Sequence, residues 1–390
     1  MWSPYIDFLR GDFYVDAAPA YQHLRDNAPV YFDAEHSGLW GVARYDDVVA
    51  VERDPVTFSN AGGSRPDTGP LPWMIDMDGP PHTKRRRLVS HGFTPARVRA
   101  TQPHLRVICD ELIDAVCEQG VCDFVADVAA PLPMIVIGDM LGVPATDRAN
   151  LLDWSRGMLA SLSGDAAGYE RAAQSFGAYV EYANRIVADR RANPQDDLFS
   201  VLVHAEVDGE RLADDEIVFE SLLLLIGGDE TTRHVAAGGL EQLLLHPDQM
   251  AALPRDPPAM ALAVEEMLRW VSPIKNMART VTVDTTLREV TLPAGAKLVV
   301  LYESANFDER HFVEPERFDV TRHPNDHVAF GFGPHFCLGA ALARIELATL
   351  FERVLARMAD LRLATDEPLP RTLTGIDSMP VRFIPSAGAQ

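Results

Sequence analysis

The chain has 390 residues, of which 47% are hydrophobic and 24% are charged. A chain of this length and composition can bury a large core, which excludes an intrinsically disordered protein. The formal net charge of −22 argues against nucleic-acid binding, because phosphates are bound by clustered lysine and arginine side chains, and it is consistent with the surface of an ordinary soluble protein.

The segment from Met1 to Tyr5 has no basic residues followed by an apolar core, so neither a signal peptide nor a membrane anchor is predicted. The longest uncharged apolar stretch, residues 128–138, contains prolines and is shorter than the roughly 18 to 20 residues that span a bilayer. We therefore expect a soluble, cytoplasmic protein. The cysteines are too few and too irregularly spaced for a disulfide framework or a zinc site; they are Cys109, Cys117, Cys122 and Cys337.

The predicted elements change in character along the chain. Residues 20–60 combine short β-like runs with a helical stretch. From 95 to 273, apolar residues recur at i, i+3, i+4 and i+7, which predicts a helical bulk. Short β-like pieces return at 280–300, before a last helix at 338–358. With no internal repeat and no linker, the 390 residues are predicted to form a single domain that is mainly α with a minor β portion.

One long helix is predicted over residues 214–245, with acidic residues in its first turn and a His-Pro pair after its end. Gly227 and Gly228 lie in its middle, where each glycine costs about 1 kcal/mol relative to alanine. Thr231 lies three and four residues later, on the same face, and its hydroxyl can bond back to the Gly227 carbonyl and loosen the helix. This pattern predicts a groove against which a flat cofactor could lie; a kinked buried helix is the alternative.

A loop over residues 330–339 precedes a strongly helical run at 340–347. This places Cys337 at a helix N-terminus, where unpaired N–H groups and the helix dipole are expected to lower the pKa of its thiol and favour a metal-binding thiolate. Gly333 permits a tight turn, and Gly339 allows a flat ligand to approach the backbone. A buried free cysteine is the alternative, and it is the expected state of the other three cysteines.

This loop carries a family resemblance. Phe330, Gly333, Cys337 and Gly339 match the F-x-x-G-x-x-x-C-x-G haem signature, so the chain resembles the cytochromes P450, over essentially its whole length. The resemblance implies the cytochrome P450 fold, with haem b (iron protoporphyrin IX) between the long central helix and the cysteine loop. It also implies that Cys337 is the ligand to the iron and that dioxygen is a co-substrate. A thiolate ligand favours cleavage of the O–O bond.

The resemblance assigns further roles by position. Glu230 is similar to the acid, and Thr231 to the alcohol, of the pair that relays protons to bound oxygen in this family. Glu266 and Arg269, which alone could be a surface i, i+3 pair, match the E-x-x-R pair, with Arg317 as the expected third member of a structural network.

The residues expected to bind the haem form two groups. Cations that match propionate-binding positions are His82, Arg86, Arg279 and His335. Residues expected to contact the cofactor otherwise are Gly228, Phe330, Cys337 and Gly339.

Electrons are expected from a separate protein, because the sequence has no flavin or nicotinamide fingerprint. The resemblance implies a ferredoxin and an NAD(P)H-dependent ferredoxin reductase. A basic run stands out from the acidic background, and three of its side chains are candidates for docking an acidic ferredoxin near Cys337: Lys84, Arg85 and Arg87.

The expected substrate is a large hydrophobic molecule, because the positions that match substrate-contacting regions are mostly apolar. They are Trp73, Met74, Ile75, Leu223, Gly227, Ile274 and Met277. Strings at 59–63, 74–78, 226–234 and 304–308 resemble the actinobacterial enzymes that oxidise the terminal methyl of the cholesterol side chain. This resemblance implies hydroxylation of a sterol or stenone such as cholesterol or cholest-4-en-3-one.

Two alternatives stay open. A tailoring hydroxylase of a polyketide, a terpenoid or another steroid position would share the same chemistry and differ in its product. A haem-thiolate sensor without turnover is the alternative of another class, and the Glu230–Thr231 pair argues against it.

Overall fold

A computed structural model of the chain describes residues 5–160, 166–253, 257–372 and 375–388. The first four residues, on which the expectation about a signal peptide partly depends, lie outside the described part. The helices in chain order are α1 (Gly11–Val15), α2 (Ala18–Asn27), α3 (Tyr45–Arg53), α4 (Gly79–Ser90), α5 (Pro95–Ala100), α6 (Gln102–Cys117), α7 (Pro131–Leu141), α8 (Arg148–Leu159), α9 (Ala166–Ala192), α10 (Leu198–His204), α11 (Asp214–Leu245), α12 (Pro247–Ala252), α13 (Pro257–Val271), α14 (Tyr302–Asn306) and α15 (Ala340–Arg357).

The strands are short and form a minor part of the fold. They are β1 (Val30–Phe32), β2 (Trp40–Val42), β3 (Phe58–Ser59), β4 (Val121–Asp123), β5 (Asn276–Val281), β6 (Thr285–Leu287), β7 (Val290–Leu292), β8 (Lys297–Leu301), β9 (Arg362–Leu363), β10 (Arg371–Thr372), β11 (Gly375–Ile376) and β12 (Pro380–Arg382). The class is therefore mainly α with a minor β portion, as predicted.

The largest sheet has the order β1-β2-β8-β5-β3, in which only the β2–β8 pair is parallel. Its register places Val42 opposite Val300 and Arg279 opposite Leu298. β4 and β9 to β12 lie outside the two regions where strands were expected, and they pair as β4-β12-β9 and β10-β11. Each is two or three residues long, which is too short for a periodic signal in the sequence.

The helix predicted over 214–245 is confirmed as α11. Glu216 accepts a hydrogen bond from the Ala213 amide at 2.8 Å, which satisfies one amide at the helix N-terminus. α11 packs against α7, α13 and α15. The buried apolar residues of its C-terminal half, including Leu240 and Leu243, belong to the largest hydrophobic cluster, and those of its N-terminal half, including Leu222 and Leu225, belong to a second one. The last helix is confirmed as α15, two residues shorter at its start than predicted.

A long apolar helix is the usual form of a membrane anchor. Among the described residues, no helix combines the length and the hydropathy needed to cross a bilayer.

Candidate active site

The middle of α11 opens on one side at Gly227. This residue is exposed although it lies at the centre of a 32-residue helix, and a Cβ atom built on it would meet no atom within 4 Å. The Thr231 hydroxyl donates to the Gly227 carbonyl at 3.0 Å, as expected. Gly228 differs, because a Cβ there would lie 3.1 Å from Ile137 of α7. The two glycines therefore serve different neighbours: Gly227 keeps the face beside Thr231 open, and Gly228 lets α7 pack closely.

Glu230 is held by two side chains of the next turn. Its Oε2 accepts from Arg233 at 2.7 Å and lies 3.3 Å from His234 Nε2. Burial alone would raise the pKa of Glu230, but the hydrogen bond from His234 and the charge of Arg233 outweigh it, and the pKa is lowered. The residue predicted to supply protons is therefore an anion at neutral pH, which can take up a proton and pass it on.

The cysteine loop turns through two glycines with positive φ, Gly331 at +68° and Gly333 at +69°. A Cβ on Gly333 would also lie 2.5 Å from the Glu52 carbonyl oxygen, so the turn and the close approach both require glycine. The Cys337 amide donates to the Phe330 carbonyl at 2.9 Å, which closes the loop. Gly339 caps α15, and its Cβ position is 4.0 Å from the Cys337 sulfur.

Cys337 is exposed, whereas the other three cysteines are buried. The expectation that the helix N-terminus lowers the pKa of the Cys337 thiol below its usual value is wrong. Desolvation by the surrounding protein raises the pKa of Cys337, and the backbone N–H groups of Gly339 and Ala340 and the charge of Arg86 only partly offset it. A metal ion removes the thiol proton when it binds, so the thiolate depends on the metal rather than on the helix alone.

Three of the four predicted propionate-binding residues converge on this loop. The rings of His82 and His335 lie 4.1 Å apart between centroids, and Arg86 donates to the Phe336 carbonyl. The Nε2 atoms of both histidines are buried without a hydrogen-bond partner in the described part of the chain, although His335 Nε2 is 3.5 Å from Asp78 Oδ1. Burial and the neighbouring His335 and Arg86 lower the pKa of His82 to about 4.

Arg279, the fourth predicted propionate-binding residue, has a carboxylate partner within the protein. Its guanidinium is buried and paired with Glu52 of α3, which also accepts from the Tyr302 hydroxyl at 3.1 Å and from the Phe332 amide at 3.2 Å. A buried arginine needs a permanent carboxylate partner, and here the protein itself provides one. Sequence reasoning missed Glu52, although its place on the apolar face of α3 is a detectable signal.

These residues fit an iron porphyrin. The exposed Cys337 sulfur is a ligand that iron accepts, and the unpartnered ring nitrogens of His82 and His335 are donors suited to carboxylates. The glycine-opened face of α11 beside Thr231 has room for a small ligand such as dioxygen. The donor set therefore matches the cofactor that the cysteine loop predicted.

The predicted substrate residues fall into two groups. Met74 is buried in one hydrophobic cluster, against which Leu223 of α11 packs. Ile274 and Met277 pack against a second cluster that surrounds the main sheet. Trp73 and Ile75 are half-buried beside Met74, and Gly227 provides the open face of α11 described above.

The predicted ferredoxin-docking cations are already paired within the chain. Lys84 forms an ion pair with Glu210, and Arg87 lies 3.5 Å from Asp208. Arg85 is buried, so it cannot meet a partner protein. Docking by Arg85 is therefore ruled out. Lys84 and Arg87 keep exposed side chains beside their carboxylate partners, so their part in docking a ferredoxin stays a prediction.

The pair of Glu266 and Arg269 is confirmed as a buried network rather than a surface contact. Both side chains are fully buried, and Arg269 also donates to the Asn306 carbonyl at 2.9 Å. The third member is Arg322, at 3.1 Å from Glu266, and not Arg317. Arg317 lies on the surface and pairs with Glu314 at 3.3 Å, because the turn around it points its side chain outward.

The chain is similar to known proteins over almost its entire length. A cytochrome P450 family profile matches residues 258–374. The chain is 53% identical to a steroid C26-monooxygenase of Mycolicibacterium smegmatis, over 98% of this chain and 97% of that protein. It is 52% identical to a steroid C26-monooxygenase of Mycobacterium tuberculosis, over 98% of each chain. Among solved structures, the Bacillus subtilis bacillaene polyketide synthase cytochrome P450 PksS superposes with a TM-score of 0.89 at 31% identity, covering 97% of this chain and 100% of that one.

Proposed function

The chain belongs to the cytochrome P450 family of haem-thiolate monooxygenases, and we propose that it hydroxylates the terminal methyl group of a steroid side chain. The observation that carries the substrate is the 53% identity, over nearly the full length of both chains, to a protein named steroid C26-monooxygenase. The predominantly apolar residues at the expected substrate positions support a substrate of this hydrophobic kind.

Each residue near the cysteine loop has a proposed task toward the cofactor. Bound haem supplies the site where dioxygen is bound and reduced. Cys337 would provide the sulfur ligand to the iron, and the loop closed by its amide holds that sulfur in place. Arg86 would neutralise propionate charge, and the ring nitrogens of His82 and His335 would donate hydrogen bonds to the propionates. Arg279 supports the loop through Glu52.

Proton delivery is proposed for one turn of α11. Thr231 Oγ1 donates a proton on the open face, and Glu230 restores it to Thr231 Oγ1 after taking one up from the surrounding protein or water. The pairing of Glu230 with Arg233 fixes one of its oxygens, so the carboxylate must turn or use its second oxygen to reach Thr231. The open side at Gly227 gives the substrate and oxygen access to this turn.

We infer that a ferredoxin supplies the electrons, because no flavin or nicotinamide fingerprint occurs in these 390 residues. A ferredoxin docked on the face that presents the cysteine loop would have the shortest electron-transfer distance to the sulfur ligand. Phe336, next to Cys337, is 39% exposed on this loop. Lys84 and Arg87 remain exposed near the loop and are the proposed cations for an acidic ferredoxin.

A spectral titration of the purified holoenzyme tests the substrate. Displacement of an iron-bound water by a fitting substrate changes the spin state and shifts the Soret band. Cholest-4-en-3-one and cholesterol should produce a saturable low- to high-spin shift, whereas an androstane steroid without the side chain should not. A normal haem spectrum that responds to polyketide or terpenoid ligands but to neither sterol would overturn the steroid assignment and leave the monooxygenase class intact.

A further inference from the structure

A buried carboxylate lies in α11 two turns before the open face. Glu220 has no exposed surface, and its Oε1 accepts two hydrogen bonds from other parts of the chain. One comes from the Met74 amide at 2.8 Å and the other from Arg85 at 3.1 Å. Neither donor is near Glu220 in sequence, so this oxygen joins three separate segments.

Arg85 joins α4 firmly to α11. Its guanidinium is buried and is paired with both Glu216 and Glu220, one turn apart on α11. A buried ion pair is costly to break, because removing one partner leaves the other charge unsatisfied. Arg85 therefore keeps Glu220 at a fixed distance from α4, and Glu220 Oε1 accepts from Arg85 and from the Met74 amide together.

Met74 begins a short 3-10 helix, Met74–Asp76, in the segment expected to contact the substrate. This segment is ordered around Asp76, which accepts hydrogen bonds from the Ser64 amide, the Leu71 amide and the Trp73 indole, each at 2.8 Å. Its internal bonds give the segment a shape of its own. The hydrogen bond from the Met74 amide to Glu220 connects the backbone of this segment to α11, the helix that carries Gly227 and Thr231.

We propose that Glu220 is a positioning residue for substrate recognition: it fixes Trp73, Met74 and Ile75 against α11 and so determines how tightly the steroid is held. The proposal rests on the proposed function for the identity of the ligand. Glu220 bonds to the backbone amide of Met74 and not to a side chain. The hydrogen bond therefore fixes the position of the main chain from which the side chains of this segment project. With the backbone of the segment held in place, its apolar side chains contact the substrate from fixed positions.

Two substitutions at Glu220 separate the hydrogen bond from the charge. Glu220→Gln keeps an acceptor for the Met74 amide, whereas Glu220→Leu removes the acceptor and leaves that amide buried and unpaired. Glu216→Gln is the matched control, because it removes a carboxylate from the same arginine but leaves the tie to Met74. The carbon monoxide difference spectrum of each variant shows whether the haem-thiolate fold is retained.

The first readout is amide hydrogen exchange of the ligand-free holoenzyme. Glu220→Leu should accelerate exchange in the segment around Met74, and Glu220→Gln and Glu216→Gln should change it little. Unchanged exchange in Glu220→Leu would overturn the proposal, because the tie would then not order the segment. This measurement needs no substrate, so it decides the point even if the steroid assignment fails.

The second readout is substrate affinity, measured with whichever probe shifts the wild-type Soret band, cholest-4-en-3-one first. We expect Glu220→Leu to raise Kd and KM by about tenfold, with kcat changed far less. A loosened segment with unchanged Kd would also overturn the proposal. A wild-type protein that binds a polyketide or terpenoid instead would sink the steroid assignment alone, and the same comparison would be made with that ligand.

Discussion

Thr231 and Thr232 are neighbours on α11 with different surroundings. The Thr231 hydroxyl lies on the side opened by Gly227, whereas Thr232 is buried. Only the first can reach a ligand on the open face. The pair therefore gives a matched test of the proposed proton donor within one helix turn.

We expect Thr231→Ala to lower product formation per NAD(P)H consumed by about tenfold or more, because loss of a positioned proton donor lets reduced oxygen escape as hydrogen peroxide. Thr232→Ala should lose stability without a comparable change in this ratio. The measurement is the ratio of product to NAD(P)H and to peroxide in a reconstituted system. An equal ratio in wild type and Thr231→Ala would contradict the assignment.

Glu346 of α15 gives a prediction about pH. It is buried, its Oε1 has no hydrogen-bond partner in the described part of the chain, and burial together with the charge of Asp229 raises its pKa to about 8. The folded protein thus holds this proton more tightly than the unfolded chain. Its stabilising contribution is present at low pH and is lost as pH rises from about 4.5 through about 8.

Glu346→Gln, a neutral isostere of the protonated acid, should remove this loss. We expect its free energy of unfolding relative to wild type to increase between about pH 5 and about pH 8, by at most about 1.4 kcal/mol per pH unit. Glu352→Gln, on the same helix in a surface pair with Arg106, is the control and should show no such trend. A pH-independent difference for Glu346→Gln would contradict a buried neutral acid. Denaturant titrations at several pH values provide the measurement.

Among the elements, α11 contains a glycine, Gly227, that lowers the stability of the helix and opens the face beside Thr231. Gly227→Ala should stabilise the helix by about 1 kcal/mol, because no atom obstructs the new methyl group, but that methyl would enter the open face beside Thr231. We expect weaker substrate binding in the Soret titration together with a higher free energy of unfolding. Gly228→Ala should gain no stability, since its methyl would press against Ile137. A lower free energy of unfolding in Gly227→Ala than in wild type would contradict the conclusion that this face of α11 is open.

The elements also show how far sequence reasoning reaches. α11 and α15 were predictable because long amphipathic patterns and terminal signals are local. The strands β9 to β12 were missed, because two- or three-residue strands owe their existence to partners elsewhere in the chain.

The site was predictable to a similar degree. Cys337, His82 and His335 were identified from the resemblance to the cytochromes P450, and the structure brings the two histidines together at the cysteine loop. The environment of Arg85 and Arg279 was not, because their carboxylate partners, Glu220 and Glu52, are 135 and 227 residues away. Distant pairing of this kind leaves no pattern in a single sequence.

For the whole molecule, the network around Glu266 stabilises the fold. Arg269 and Arg322 neutralise this buried carboxylate, and Arg269 also reaches the Asn306 carbonyl, so the network joins α13 to the segments before the cysteine loop. We expect Arg269→Ala to lower the free energy of unfolding by about 3 to 5 kcal/mol and to reduce the yield of holoenzyme. Arg317→Ala, on the surface, should stay within about 0.5 kcal/mol of wild type. Denaturant unfolding followed by circular dichroism compares the two variants, and an equal loss of stability in both would contradict the placement of Arg317 outside the network.

The proposed activity is defined by the carbon atom that is oxidised, a terminal methyl of the steroid side chain. The most direct test is turnover of cholest-4-en-3-one by the holoenzyme with a ferredoxin and a ferredoxin reductase, followed by mass spectrometry and NMR of the isolated product. We expect a single added oxygen on a terminal methyl of the side chain, with further oxidation of the same carbon on longer incubation. Oxygen on the steroid rings, or consumption of NAD(P)H with no steroid product, would contradict it.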